Sequence, residues 1–192
     1  MKPPLLIRAS TTALAVLLAA LLVPVAQAQT WTLQAGSTLG FSSTFEGAAF
    51  SGRFKQFSAT IAFDPAKPQA CTLQAAIVLA SVDTDNPDRD KMLPTADFFD
   101  VARFPQAHYQ GGDCQPDGPG RYRAQGTLTL RGVSKPVPLL LHFSVNGADA
   151  LLTLDASVPR LAFAVGGGQW ASASAIGLDV AVHGVLKLAP AP

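Results

Sequence analysis

Apolar and polar side chains alternate along most of this chain, and a period of two belongs to strands that bury one face and wet the other. Leu178, Val180, Val182, Gly184, Leu186 and Leu188 share one parity, while Asp179, Ala181, His183, Val185 and Lys187 take the other. Leu152, Leu154, Ala156 and Val158 alternate with Thr153, Asp155 and Ser157, and Val137, Leu139, Leu141, Phe143 and Val145 with Leu140, His142 and Ser144. Leu128 and Leu130 alternate with Thr127, Thr129 and Arg131. Upstream, Leu39, Phe41 and Phe45, then Phe50 and Phe54, then Phe57, Ala59, Ile61 and Phe63 keep the parity across breaks at Gly47 and Gly52, so the inward face there is built from phenylalanine. Turn signals at Asp64-Pro65, Lys67-Pro68, Gly111-Gly112, Pro116 to Gly120, Gly132 and Asn146-Gly147 separate about eight to ten strands, a spacing that predicts an all-β antiparallel sandwich or barrel.

The period fails at the very start. Lys2 and Arg8 precede an apolar run from Ala13 to Val23, Pro24 follows, and Ala26-Gln27-Ala28 places small residues where a signal peptidase reads. The run is shorter than the roughly 20 residues a membrane span needs. Residues 1–28 are therefore expected to be a secretory signal peptide that is removed, leaving residues 29–192 as a single exported domain in the periplasm. Basic and acidic groups nearly balance at 14 and 13, so no excess of positive charge is available for a nucleic-acid partner. Cys71 and Cys114 are the only cysteines, and an oxidising compartment predicts that they form one disulfide. Two lone thiols make a poor metal site.

The period fails again from Asp83 to Pro105. Asn86-Pro87 places an N-cap before a proline at the first helical position, Thr95 and Asp97 begin a second turn, and Pro94 forbids one long helix. One or two short helices are expected around residues 86–100, with Met92, Leu93, Phe98 and Phe99 covering something apolar. Four carboxylates lie in this stretch, at Asp83, Asp85, Asp88 and Asp90, but Pro87 interrupts any EF-hand pattern. They are read as helix caps and a local ion pair with Arg89.

The chain lacks the signatures of common catalysts. There is no Gly-x-Ser-x-Gly elbow, no His-Glu-x-x-His and no phosphate-cradling glycine loop. His108, His142 and His183 are scattered, the latter two on the polar parity, and all three are read as surface residues. Gly166-Gly167-Gly168 reads as a flexible turn before Trp170. No catalytic residue is assigned.

A closed barrel of about eight strands either fills its interior with side chains or keeps room for one ligand. Large rings beside a short helical lid favour a dry, apolar pocket. By parity, its candidate wall residues are Phe41, Phe45, Phe50, Phe54, Ile61 and Phe63 from the first half and Leu139, Leu141 and Phe143 from the second. Leu93, Phe98, Phe99, Phe163 and Trp170 complete the wall and lid. Arg131 is a candidate polar contact at the mouth.

Residues along nearly the whole mature region resemble the YceI-like family of bacterial polyisoprenoid-binding proteins. The resemblance runs from Trp31 through Phe50-Ser51-Gly52-Arg53-Phe54, Ile61-Ala62-Phe63-Asp64-Pro65 and the segment Thr84 to Leu93 with Arg89-Asp90. It continues through Asp97-Phe98-Phe99-Asp100, Phe104-Pro105, Gly126 to Val133, Arg160-Leu161-Ala162-Phe163, Gly177 and Val180. It implies an extended, lipocalin-like antiparallel β-barrel that holds a long isoprenoid or other amphiphilic lipid in its centre. Gly36 and Phe45 stand where many members carry histidine in the first hairpin, which implies a more apolar entrance.

The resulting expectation is an exported binding protein that sequesters or transports an isoprenoid lipid or quinone as ligand, with no cofactor and no bond chemistry of its own. Its partners would be that lipid and, transiently, a membrane or membrane redox protein, and the protein would act as a monomer or homodimer. A reading from another class is a small periplasmic redox or stress-response enzyme with a bound quinone as cofactor. A ligand-free structural barrel would instead have no cavity. Face assignment is testable by denaturation. Phe54→Asp or Leu141→Asp should destabilise by several kcal/mol, about 3 or more, whereas Asp179→Asn and Lys187→Gln should stay within about 0.5; equal tolerance at both pairs would mean that the faces are reversed.

Overall fold

A computed structural model of the chain describes residues 29–191. The expected signal peptide, residues 1–28, lies outside the described residues. Twelve strand segments form one antiparallel sheet. They are β1 (Thr30–Leu33), β2 (Thr38–Phe45), β3 (Ala48–Phe54), β4 (Phe57–Ala62), β5 (Thr72–Val78), β6 (Val82–Asp83), β7 (Gln106–Pro116), β8 (Arg121–Leu130), β9 (Val133–Pro136), β10 (Leu139–Asn146), β11 (Asp149–Pro159) and β12 (Asp179–Pro190). One α-helix, α1 (Pro87–Met92), lies between β6 and β7.

The twelve segments make eight long strands, several of them bent. Both β1 and β2 pair with β12, β1 through Leu33 opposite Leu188 and β2 through Phe41 opposite Val182. They are two halves of one strand. In the same way β3 pairs with β2 and β4 with β1, while β5 and β6 pair with β4 and β3 across a 3-10 turn at Leu79–Ser81. Likewise β9 and β10 both lie on β8. A break at Val137-Pro138 separates them, where Pro138 has no N–H to give the ladder and the Val137 amide bonds the Gly126 carbonyl at 2.9 Å. The sequence reading had run Val137 into β10 as one strand.

Pairing of β1 with both β4 and β12 closes the ring at one end of the barrel. At the other end the ring is incomplete, because among the described residues β6 pairs only with β3 and β9 only with β8. The gaps are covered by the chain from 84 to 105 and from 160 to 178. The two-residue loops Glu46-Gly47 and Arg131-Gly132 have positive φ at both positions, 48° and 81° in one and 52° and 73° in the other. This is the turn whose twist matches that of the flanking strands.

The inward and outward faces follow the parity of the sequence, with two departures. Val145 is exposed near the tip of the β10–β11 hairpin, and Leu178 is exposed just before β12, where its carbonyl accepts from the Arg160 amide. The insert contains α1 as expected, with Pro87 first and Asn86 Oδ1 accepting from the amides of Asp88 and Arg89 at 3.1 and 3.0 Å. The second expected helix is a run of turns. Pro94 stops α1, the Phe98 and Asp100 amides bond back to the Thr95 carbonyl, and Phe104 bonds to Asp100. The expected Arg89 ion pair is also absent among the described residues. Arg53 pairs with Asp83 and Asp85 at 2.7 and 3.1 Å, while Arg89 donates to Thr84 and lies over the Phe50 ring at 4.3 Å.

Cys71 and Cys114 are bonded, 43 residues apart, and both are buried at the closed end. The bridge ties the residue just before β5 to β7, beside the register shift between Gly112 and Gln115. Replacing both cysteines with serine should lower the unfolding free energy by about 4 kcal/mol in urea titrations, from the loop-closure entropy returned to the unfolded chain. A loss below about 1 kcal/mol would show that the unfolded chain gains little from the crosslink.

Candidate functional site

The barrel is filled at one end and hollow at the other. At the closed end Phe63 packs against Tyr122 and Phe143 with ring centroids 4.8 and 4.7 Å apart, and Trp31 meets Phe143 at 5.5 Å. The Trp31 Nε1–H donates to the Phe63 carbonyl at 3.1 Å, so this buried indole is satisfied. Towards the capped end the inward residues become small, with Ala75 on β5, Ala107 on β7, Ala156 on β11 and Ser43 on β2. A cavity of about 470 Å³ opens there.

Its wall matches the sequence reading in part. Phe41 and Phe45 from β2, Phe50 and Phe54 from β3, and Leu139 from β10 line the cavity. Leu93, Phe98 and Phe99 close it from the insert, as expected of a lid. Ile61, Phe63, Leu141 and Phe143 do not line it. They face inward as read, but at the height where the barrel is packed solid. Phe163 is fully buried beneath the 3-10 turn Arg160–Phe163 and has no cavity surface. Trp170 stands behind the wall, its ring 6.4 Å from that of Phe45 and 5.9 Å from that of Phe98. Of the two first-hairpin positions, Phe45 is on the wall, whereas Gly36 sits at the exposed β1–β2 bend beside Lys187.

Arg131 is a corrected assignment as well. Its guanidinium donates to the carbonyls of Ala96, Asp97 and Ala164, which joins the two capping segments. The Gly166 amide adds a bond to the Asp97 carbonyl at 2.8 Å. Arg160, which the sequence reading did not single out, does more. Only 4% exposed, it donates to the carbonyls of Gly177, Val165, Gly166, Trp170 and Ile176. One planar fork thus gathers the turns of the 160–178 segment. Burial pushes its pKa down from the usual arginine value.

Polar groups on the wall are few and mostly engaged. Tyr109, unrecognised in the sequence, lies over Gly126 and Gly111, neither of which leaves room for a Cβ beneath its ring. Its hydroxyl donates to the Val137 carbonyl at 3.0 Å, and burial pushes its pKa up to about 12, so it stays protonated. Ser43 Oγ, by contrast, is buried without a partner. Asn86, Asp88 and Arg89 from the start of α1, and the engaged guanidinium-bearing Arg160, bring the remaining polarity. No histidine or thiol borders the cavity among the described residues, and His108, His142 and His183 are exposed. This arrangement can enclose a hydrocarbon chain.

A family model described as YceI-like domain matches residues 31–188. A UPF0312 protein of Shewanella baltica is 32% identical over 142 residues, covering 71% of this chain and 74% of that protein. A UPF0312 protein of Azotobacter vinelandii is 34% identical over 113 residues, and there the match spans little more than half of the relative, 56% of its length against 59% of this chain. Among solved structures, BcnA of Burkholderia cenocepacia superposes with a TM-score of 0.78 at 29% identity, covering 81% of this chain and 98% of that one. A domain from Saccharophagus degradans, described as a polyisoprenoid binding domain, superposes at 0.66 with 18% identity over 85% of this chain and 99% of its own; at that identity the likeness concerns the fold.

The role of Arg160 can be measured by urea denaturation. Arg160→Met leaves a cluster of carbonyls without donors and should lose about 3 kcal/mol of stability. Arg160→Lys should recover little of it, since one ammonium cannot reach carbonyls on several sides. A Met variant within about 0.5 kcal/mol of the parent would contradict this role.

Proposed function

The chain belongs to the YceI-like family, and on that premise we propose that it is an exported lipid-binding protein that holds the tail of an isoprenoid, such as a quinone or polyprenol, or a similar amphiphile inside its barrel. The observation that carries this reading is the cavity of about 470 Å³ between the aromatic plug and the cap, walled mostly by phenylalanine and aliphatic side chains. Apolar cavities of this kind stay dry, because water finds too few polar partners there. The ligand description of the Saccharophagus degradans barrel accords with it.

The energies suffice without a charged anchor. Burying one isoprene unit removes about four methylene equivalents from water, or roughly 3 kcal/mol. Two units already exceed the lower end of the ~4 to 15 kcal/mol that association costs and four reach about 12, so a bound lipid is expected to survive purification. The N-terminal pattern of Lys2, Arg8, the run from Ala13 to Val23 and Ala26-Gln27-Ala28 supports export, as does the Cys71–Cys114 bridge, so the compartment proposed is the periplasm. There the protein would sequester or carry its lipid as a monomer or homodimer, exchange it in transient contact with a membrane or a membrane redox protein, and leave bond chemistry to others.

Organic extraction of protein purified from the periplasm of its native host, followed by mass spectrometry, tests the proposal. About one isoprenoid or similar lipid per chain is expected, and adding isoprenoid to the emptied protein should raise Tm by several degrees. Extracts without stoichiometric lipid, together with an unchanged Tm, would refute it.

A further inference from the structure

The hollow and filled parts of the barrel meet at a definite level. On β10 the wall residue Leu139 is followed inward by Leu141 and then Phe143; on β5 Ala75 gives way to Leu73, and on β11 Leu154 gives way to Leu152. Leu73, Leu141 and Leu152 are buried and are the next inward residues beyond these last wall residues, so they make the layer that closes its floor. Beneath them the interlocked rings of Trp31, Phe63, Tyr122 and Phe143 fill the closed end. That end is also pinned by the ring closure of β1 onto β12 and by the Cys71–Cys114 bridge. A tail cannot thread through. The charged and amide-bearing wall residues lie at the other end, Asn86, Asp88 and Arg89 at the start of α1 and Arg160 in the second capping segment, so a ligand lies with its tail on the leucine floor and its head towards the cap.

A blind cavity converts volume into chain length. At the packing density of protein interiors an isoprene unit needs roughly 120 Å³, and the cavity of about 470 Å³ therefore accommodates about four units. We propose that the leucine floor and the aromatic plug beneath it set the chain length of the ligand: this protein selects isoprenoid tails near four units and takes much longer ones only by leaving the excess outside. The proposal rests on the lipid-binding reading above and specifies its ligand.

Binding of geraniol, farnesol, geranylgeraniol and solanesol to delipidated protein, followed by tryptophan fluorescence and by Tm, tests it. Affinity should rise about tenfold or more with each unit from geraniol to geranylgeraniol and then stop, with solanesol no tighter. Ala75→Leu adds bulk to the floor from a position that faces open space, and should weaken geranylgeraniol about tenfold while affecting farnesol much less. Leu141→Ala deepens the floor and should move the preference the other way, towards longer chains. Solanesol binding more tightly than geranylgeraniol to the parent protein, or Ala75→Leu weakening every alcohol equally, would overturn the length rule while leaving lipid binding intact. Failure of all four alcohols to bind would overturn both.

Discussion

A closed sheet buries its inner face only to the extent that its inward side chains span the space between opposite walls. In this barrel they do so at one end alone. Where β1 joins β4 and β12, the inward positions carry Trp31, Phe63, Tyr122 and Phe143, whose rings meet across the axis. Further along, the same parity carries Ala75, Ala107, Ala156 and Ser43, and the phenylalanines of β2 and β3 line the gap without filling it. The hollow is therefore written into side-chain volume, layer by layer. The bends between β1 and β2 and between β5 and β6 accompany the loss of complete pairing at that end, which two chain segments then cover.

Such a cover has to be held in place without filling what it covers. Its apolar residues, Leu93, Phe98 and Phe99, give the cavity a dry ceiling, but the turns that carry them expose many carbonyls. Arg131 and Arg160 satisfy these from two sides. A guanidinium suits the task because it presents several donors in one plane. The cap is thereby tied to itself and to the barrel by guanidinium groups whose donors are spent on backbone carbonyls, Arg160 at the edge of the cavity and Arg131 off it.

Parity along the chain was enough to give about eight to ten antiparallel strands in a sandwich or barrel, to assign inward and outward faces and to find the insert with its Asn86 cap; the resemblance to the family pointed to the barrel. Parity could not supply height. A period of two separates inside from outside but carries no information about position along the axis, so Ile61, Phe63, Leu141 and Phe143 had the correct face but lie in the filled part of the barrel. Tyr109 escaped notice because Gly111, Gly112 and the bulge that follows hide the alternation of β7, although those glycines and Gly126 are what make room for its ring. The roles of Arg131 and Arg160 were illegible for another reason. Their partners are backbone carbonyls of irregular turns, and no side-chain pattern marks them.

Electron density from crystals of the protein purified from its native host bears on the half-hollow barrel without any assumption about ligand identity. The account predicts continuous, elongated density in the space between Leu139 and Phe45, ending at the leucine floor and emerging near α1. Side chains collapsed into that space, or a chain of ordered water running through it, would contradict it.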